Sequence, residues 1–462
     1  MTVVNDEARR AAALVLHEVL EAGAYANLSS IRLLDNRRLA PRDRSFASAL
    51  IYGTISRLVA IDYLLSQVLK RPLANLQPMT RTILRLGTWQ LYWSTSIPPS
   101  AAVDESVKLA HLLENPGSAS LVNACLRRLS APDRPVVPAN KLALQAGLPP
   151  ELFGHLKKWY GQDEAVALAA MALEAIPQVS VRVNPLRATP DQVIAELAED
   201  GIAAIPGRHC PEALTLTLAG HSIRAQRPWN EGRITVQDEA AMLVGRIAAP
   251  EPDWQVIDLC AAPGGKTTHL AERMMDRGRV LALDVSSARL PLIAEQAQRL
   301  GLTSIRTAVA DATRLDWADE LIAQADLVLA DVPCSGLGLL GRKPEIRLTM
   351  THDRMVALYP LQDQILANAA HLVRPGGVLI YSTCTLNPAE NSERIQAFLA
   401  SGGRGLFEAG EFVLEGFDSL LPTSLLSDPL LAAEASVGMI QLLPHRHQVD
   451  GFFIAKLRRQ SP

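Results

Sequence analysis

The chain is expected to be a multidomain protein: an all-α bundle at the N-terminus, a small α/β unit in the middle, and a C-terminal domain on a mostly parallel sheet covered by helices. Three observations carry this expectation. At 462 residues the chain is too long for one ordinary hydrophobic core. Its first 130 residues read as almost all helix, with apolar positions three and four residues apart. From residue 254 onward, short apolar runs alternate with helical segments, as in parallel strands joined by crossover helices.

The N-terminal helices come first. Leu16, Leu20, Leu28 and Leu33 sit among helix formers, and IYGTISRLVAIDYLLSQVL (51–69) has apolar positions at three- and four-residue spacing. MTRTILRLGTWQLYWS (79–94), VDESVKLAHLLE (103–114) and ASLVNACLRRLS (119–130) complete the bundle. Trp89, Tyr92 and Trp93 suit either core-edge packing or the stacking of RNA bases. The start of the chain is charged and lacks the continuous apolar run of a signal peptide or membrane span. An apolar fraction of 48%, 20% charged residues and a net charge of -3 are ordinary for a soluble globular protein and do not favour a nucleic-acid partner. The charge is uneven, however: residues 1–130 hold 15 Lys/Arg against 10 Asp/Glu, which leaves room for a local basic surface. Five cysteines spaced far apart give neither a C-x-x-C pair nor a disulfide framework, so a reducing, cytoplasmic setting and no metal site are expected.

The polar, proline-bearing stretch 130–141 reads as a linker. The expected domains are 1–135 (helical), 146–235 (small α/β) and 236–462 (catalytic). The middle unit has two helices, a strand at VSVRVNP (179–185), and a helix at 189–201 with a threonine cap and a terminal glycine. Further strands are expected at 254–260, 280–284, 305–311, 325–331 and 377–384, and an edge or late antiparallel strand at 450–458.

LCAAPGGKT (259–267) falls where the first strand of the large sheet ends and a helix begins, the position at which open α/β sheets bind ligands. Ala261, Ala262, Gly264 and Gly265 are small enough for a ligand to approach the backbone closely, and Pro263 stiffens the turn. The spacing matches neither the dinucleotide fingerprint nor the phosphate loop. Asp284, Asp311 and Asp331 stand at three successive strand ends. One such aspartate would be an ordinary turn residue or cap. Three beside a glycine turn favour an adenosine-bearing cofactor.

Cys334 follows Asp331 in DVPCSGLGLL, and Cys384 ends the next strand in YSTCTLNPAEN. If both loops open at one sheet edge, the two thiols face one crevice. Cys125 and Cys210 read as structural, and Cys260 as lining the cofactor loop without reacting. Paired thiols suit one chemistry in particular. Carbon 5 of cytosine is a poor nucleophile until a thiolate adds to carbon 6, which makes carbon 5 enamine-like and able to attack a sulfonium methyl group. Methylation of amines or oxygens needs no such thiol.

On these motifs, together with RDRSFASALIYGT and LVNACLRRL in the first 130 residues, the chain resembles the bacterial 16S ribosomal RNA cytosine-5 methyltransferases that modify cytosine 967. The resemblance spans essentially the whole chain. It implies an antitermination-factor-like helical RNA-binding domain, an RNA-recognition-like middle domain and a Rossmann-like class I methyltransferase domain. It also implies S-adenosylmethionine as cofactor, and 16S ribosomal RNA, protein-free or in early assembly, as partner of a monomer with no role for membrane or DNA. By the same resemblance, Cys384 is the nucleophile, Cys334 assists proton removal and release, and Asp331 holds the polar edge of a flipped cytosine. Cys260, Ala261, Ala262, Pro263, Gly264, Gly265 and Lys266 cradle the cofactor, with Lys266 near the methyl group. Asp284 takes the ribose and Asp311 the adenine. Arg233, Gln237 and Asp238 lie in the stretch leading into the catalytic domain. Candidate phosphate contacts are Arg42, Arg44, Arg127 and Arg128. The same motifs leave open transfer RNA as the substrate, or a binding role without catalysis.

Overall fold

The structure is a computed structural model that describes residues 6–36, 39–174, 178–401 and 412–461. The chain divides into two compact units: residues 1–175 with 340–351, and residues 176–339 with 352–462.

The first unit is helical. Asp6 accepts from the backbone of Arg9 to cap the helix Glu7–Ala22, and Gly23 ends it in a left-handed turn. Five later helices carry proline in the first turn, where the missing N–H costs nothing: Pro41–Ser56, Pro78–Trp93, Pro99–Leu113, Pro116–Leu129 and Pro150–Tyr160. The inward faces of the bundle helices bury Leu16, Leu50, Ile51, Ile61, Leu64 and Leu126 in one apolar cluster. Trp89, Tyr92 and Trp93 pack at the edge of this core. The Trp89 ring occupies the space a side chain on Gly53 would need.

Two features of this unit lie beyond local pattern. The run 51–69 is two helices, Pro41–Ser56 and Leu58–Ser66, bent by 72° at Arg57. The Ser56 carbonyl freed at the bend accepts from the buried Arg347 guanidinium (2.6 Å). Residues 150–174 cluster with the helical unit. Among the described residues, no single helix is long and apolar enough to cross a membrane.

The second unit holds two sheets. The smaller is antiparallel, in the order β2 (Ala203–Pro206), β3 (Ala213–Thr217), β1 (Val179–Val183), β4 (Ile234–Val236). Helix Pro190–Glu199 accompanies it and starts with a full capping box, in which Thr189 and Gln192 satisfy each other's backbone N–H groups. The larger sheet has eight strands. Its continuous path is β7 (Ile305–Val309), β6 (Arg279–Asp284), β5 (Gln255–Asp258), β8 (Ala325–Asp331), β9 (Val373–Thr383), β12 (Phe452–Arg459), β10 (Phe412–Leu414). Strands β5 to β9 are parallel and β12 runs antiparallel to β9. β12 is not an edge strand: β10 and β11 (Met439–Leu442) both pair with its outer side. The order reverses at β5, between β6 and β8, so the crevice outside the carboxyl ends of these strands is a topological switch point.

Candidate active site

The turn after β5 is held by backbone. Ala261 N–H donates to the Leu283 carbonyl (2.8 Å) and Gly264 N–H to the Ala261 carbonyl (2.7 Å). Gly264 has φ of +100°, and a side chain there would press on Ile293. That region favours glycine. Helix Gly265–Arg273 follows, and its N-cap residue, Gly264, has no side chain to cap the leading amides.

Asp284 ends β6 and is buried. Its carboxylate accepts from the N–H groups of Ala262 (3.1 Å) and Ser286 (2.9 Å), which ties the glycine turn to the neighbouring strand end. Val285 beside it is 68% exposed, an apolar surface at the mouth of a crevice. Asp311 lies two residues beyond β7. One of its oxygens accepts from the Thr313 N–H (3.0 Å) and hydroxyl (2.7 Å), and these bonds hold its pKa below the ordinary carboxylate range. These groups fit S-adenosylmethionine. Amides not capped by their N-cap residue suit a carboxylate, Asp284 stands where ribose hydroxyls would bind, Val285 offers a flat contact for a base, and Asp311 uses one of its two oxygens for its own turn.

Asp331 ends β8 at the join between the cofactor turn and the cysteine loops. Its carboxylate accepts from Lys266 Nζ (2.7 Å) on one oxygen and from the Ser382 hydroxyl (2.8 Å) on the other. Lys266 Nζ also lies 4.9 Å from the centre of the Phe452 ring. Burial works to lower the Lys266 pKa, but the charge and hydrogen bond of Asp331, together with the charges of Cys384 and Asp258, turn the net direction up, so the ammonium form is held. Deeper in the sheet, burial pushes Asp258 up to about 7, against the Thr267 hydroxyl that donates to it at 2.7 Å.

The two cysteines meet: Cys334 Sγ and Cys384 Sγ are 3.4 Å apart. The hydrogen bond with Cys384, then burial, then the charge of a Cys384 thiolate raise the Cys334 pKa well above that of a free thiol. The pair therefore holds one proton more readily than none. Burial raises the pKa of Cys260 strongly as well, so its thiol stays protonated. Cys125 and Cys210 are buried among apolar side chains, and the Cys210 Sγ lies 3.8 Å from the Glu239 carbonyl.

The structure thus brings Lys266, Asp331, Cys334 and Cys384 into one cluster and places Asp284 and Asp311 at the other end of the crevice. Arg233 instead pairs with Glu196 and Glu231, Gln237 accepts from the buried Arg182, and Asp238 caps helix Glu239–Ala248. Ser382, Phe452 and Glu390 join the cluster without having been singled out, although DGFFIAKLR and YSTCTLNPAEN contain all three.

Sheet order, glycine turn and strand-end carboxylates define a class I, S-adenosylmethionine-dependent methyltransferase, and the paired thiols indicate covalent chemistry on the acceptor. Comparison with known proteins narrows the class. Residues 246–458 match the family model described as 16S rRNA methyltransferase RsmB/F, residues 6–131 the NusB family, and residues 149–222 the ferredoxin-like domain of RsmF/B-like methyltransferases. A probable ribosomal RNA small subunit methyltransferase B of Synechocystis is 36% identical over 98% of this chain and 99% of its own length. Its Bacillus subtilis counterpart is 34% identical over 95% of each. The crystal structure of PH0851 matches with a TM-score of 0.83 and 26% identity over 99% of both chains. The chain belongs to the RsmB/F family of methyltransferases: it is an S-adenosylmethionine-dependent RNA cytosine-C5 methyltransferase that works through a cysteine nucleophile.

Proposed function

We propose that this chain methylates carbon 5 of cytosine 967 in 16S ribosomal RNA, with Cys384 as nucleophile and Cys334 as the residue that releases the product. The contact of 3.4 Å between the two thiols, beside the Lys266–Asp331 pair, carries this reading. A base inside folded RNA must leave its stack to reach such a crevice. Asp331 would hold the polar edge of the flipped cytosine, and Lys266 fixes the orientation of that carboxylate. The cofactor, held by residues 260–266, Asp284 and Asp311, supplies an electrophilic methyl group.

The Cys384 thiolate adds to carbon 6, and the electron pair of the carbon 5–carbon 6 double bond forms the new bond from carbon 5 to the methyl carbon, whose bond to the cofactor sulfur would break with its electron pair left on sulfur. While Cys384 is charged, Cys334 keeps its proton. Once Cys384 is bonded to carbon 6, its hydrogen bond and charge no longer raise the Cys334 pKa, so Cys334 can lose its proton more readily, with burial, Glu390 and Asp331 still opposing the thiolate. As a thiolate it takes the proton from carbon 5. The C–H pair restores the ring double bond, and the carbon 6–sulfur bond breaks to return the Cys384 thiolate.

The proposed division of labour along the chain is 1–135 for RNA docking, 146–235 for RNA shape and 236–462 for catalysis. Arg42, Arg44, Arg127 and Arg128 would contact phosphates. Arg127 and Arg128 already hold Asn123 and Asp133, so RNA would compete for them. The protein would act as a cytoplasmic monomer on RNA that is free of protein or at an early stage of assembly.

The test is transfer of labelled methyl onto protein-free, unmodified 16S RNA with mapping of the labelled base. Label at cytosine 967 is expected. Label elsewhere in 16S moves the site, and label on transfer RNA alone overturns the substrate. Cys384→Ala is expected to abolish transfer. Cys334→Ala is expected to leave a methylated RNA–protein adduct on a denaturing gel, and its absence with RNA binding intact would sink the role given to Cys334.

A further inference from the structure

Beneath the two thiols lies a carboxylate that the reaction does not touch. Glu390 is completely buried. One oxygen accepts from the Ser335 backbone N–H (2.8 Å) and Gln362 Nε2 (2.9 Å). The other accepts from the Ser335 hydroxyl and from Asn387 Nδ2 (3.0 Å). All four of these donors are neutral. Gln362 Nε2 also donates to the Pro333 carbonyl (2.9 Å), so the residues on either side of Cys334 are both fixed by the Glu390–Gln362 pair. Ser335 Oγ reaches Thr385 Oγ1 at 2.6 Å, which links the residue after one cysteine to the residue after the other.

Cys384 has anchors of its own. It follows the paired part of β9, the Thr383 hydroxyl donates to Asn391 Oδ1, and its carbonyl accepts from the Gly338 N–H (3.0 Å). Cys334 sits in a loop without strand pairing, so its place depends more heavily on Glu390. A buried carboxylate is costly unless its acceptor sites are filled. Here they are filled almost wholly by the two cysteine loops and the helix behind them.

We propose that Glu390 is a positioning residue for the release step: it fixes Cys334 against Cys384 so that, once the methyl group is in place, Cys334 reaches the carbon 5 proton. Its loss leaves Cys384 able to add and carbon 5 able to take the methyl group, but strands the product on the enzyme. This rests on the role given to Cys334 above, and the test separates the two ideas.

The experiment compares wild type, Glu390→Gln, Ser335→Ala and Cys334→Ala in single-turnover reactions with 16S RNA and labelled cofactor, reading adduct on denaturing gels alongside multiple-turnover kinetics. Glu390→Gln keeps the shape but turns one acceptor oxygen into a donor facing donors. Ser335→Ala removes the bridging hydroxyl and keeps the backbone N–H. A displacement of about 1 Å at a reacting group can cost on the order of 100-fold. Glu390→Gln is therefore expected to lose about 100-fold in kcat with KM for RNA within about threefold, and Ser335→Ala about 10-fold. In both, methylated adduct is expected to accumulate as it does in Cys334→Ala. A merely structural role would lower adduct and turnover together. If Cys334→Ala traps adduct while Ser335→Ala and Glu390→Gln turn over without it, the proposal is overturned and the role of Cys334 stands. If Cys334→Ala itself traps nothing, the role of Cys334 fails first. Should Glu390→Gln fail to fold, adduct or its absence in Ser335→Ala decides.

Discussion

Two buried carboxylates lie beneath the two ends of the crevice, and they are satisfied in opposite ways. Under the cofactor end, Glu272 is 2% exposed and takes a bidentate guanidinium from Arg182 on β1, at 2.7 and 2.9 Å. The same guanidinium donates to the Gly265 carbonyl (2.9 Å) and the Thr268 hydroxyl (3.1 Å), so the small sheet grips the helix that starts at the glycine turn. Under the cysteine end, Glu390 is held by amide and hydroxyl donors from the loops it organises. An ion pair out of water is strong only while both charges remain, and it bears mainly on stability. A carboxylate held by neutral donors from several loops fixes positions. The first arrangement mounts a domain, and the second sets a distance between two sulfur atoms.

The sharpest way to break this contrast is to remove one charge from the first pair. Arg182→Ala leaves Glu272 buried and uncompensated, and a loss of about 3–5 kcal/mol in unfolding free energy is expected by denaturant titration. Replacing both partners with methionine should recover most of that loss, because no charge is then stranded. If Arg182→Ala is as stable as wild type but defective in release, the two carboxylates have the same role and the contrast is wrong.

A second expectation concerns Asp258, which lies between these regions. Its folded pKa is about 7, against an ordinary value of 3.8. Between those values the folded chain keeps a proton that the unfolded chain has lost, so the unfolded state binds fewer protons and stability falls as pH rises. The stabilisation is fully present below pH 4 and is lost as pH passes through 7, by roughly 4 kcal/mol for a shift of this size. Asp258→Asn should remove that slope and be the more stable protein at pH 8. Unfolding free energies measured from pH 4 to 8 check this, and a flat wild-type profile would exclude the protonated folded form.

The same contrast explains what was legible in the sequence. Asp284 and Asp331 end strands whose apolar runs are unmistakable, and the turn between them is built from adjacent residues, so local pattern is enough. Thiol pairing followed from one further step, that successive parallel strands open at the same edge. Glu390 lies within YSTCTLNPAEN, but local pattern gives it no task, because its partners Ser335 and Gln362 are 55 and 28 residues away. The helix that carries Gln362, His352–Leu372, has Pro360 in its interior, which obscures its pattern. β10 and β11, at three and four residues, are too short to show alternation, so local pattern does not reveal the outer partners of the late antiparallel strand β12. The bend at Arg57 depends on Arg347, almost 300 positions away, reaching the Ser56 carbonyl.

The smallest effect should come from the open end of the crevice. Asp311 is half-buried, and one of its oxygens is already committed to Thr313. Asp311→Asn can keep that turn through its carbonyl oxygen while presenting an amide donor where a carboxylate acceptor stood. An adenine amino group that donates there would then face a donor, at a cost near 1.4 kcal/mol, or about tenfold in Kd for S-adenosylmethionine by calorimetry. Stability should change by less than about 0.5 kcal/mol, as for a surface substitution, and kcat at saturating cofactor should hold. A tenfold loss in kcat with unchanged Kd would instead place Asp311 among the groups that act on the bound RNA. The open end would then belong to substrate positioning, as the cysteine end does.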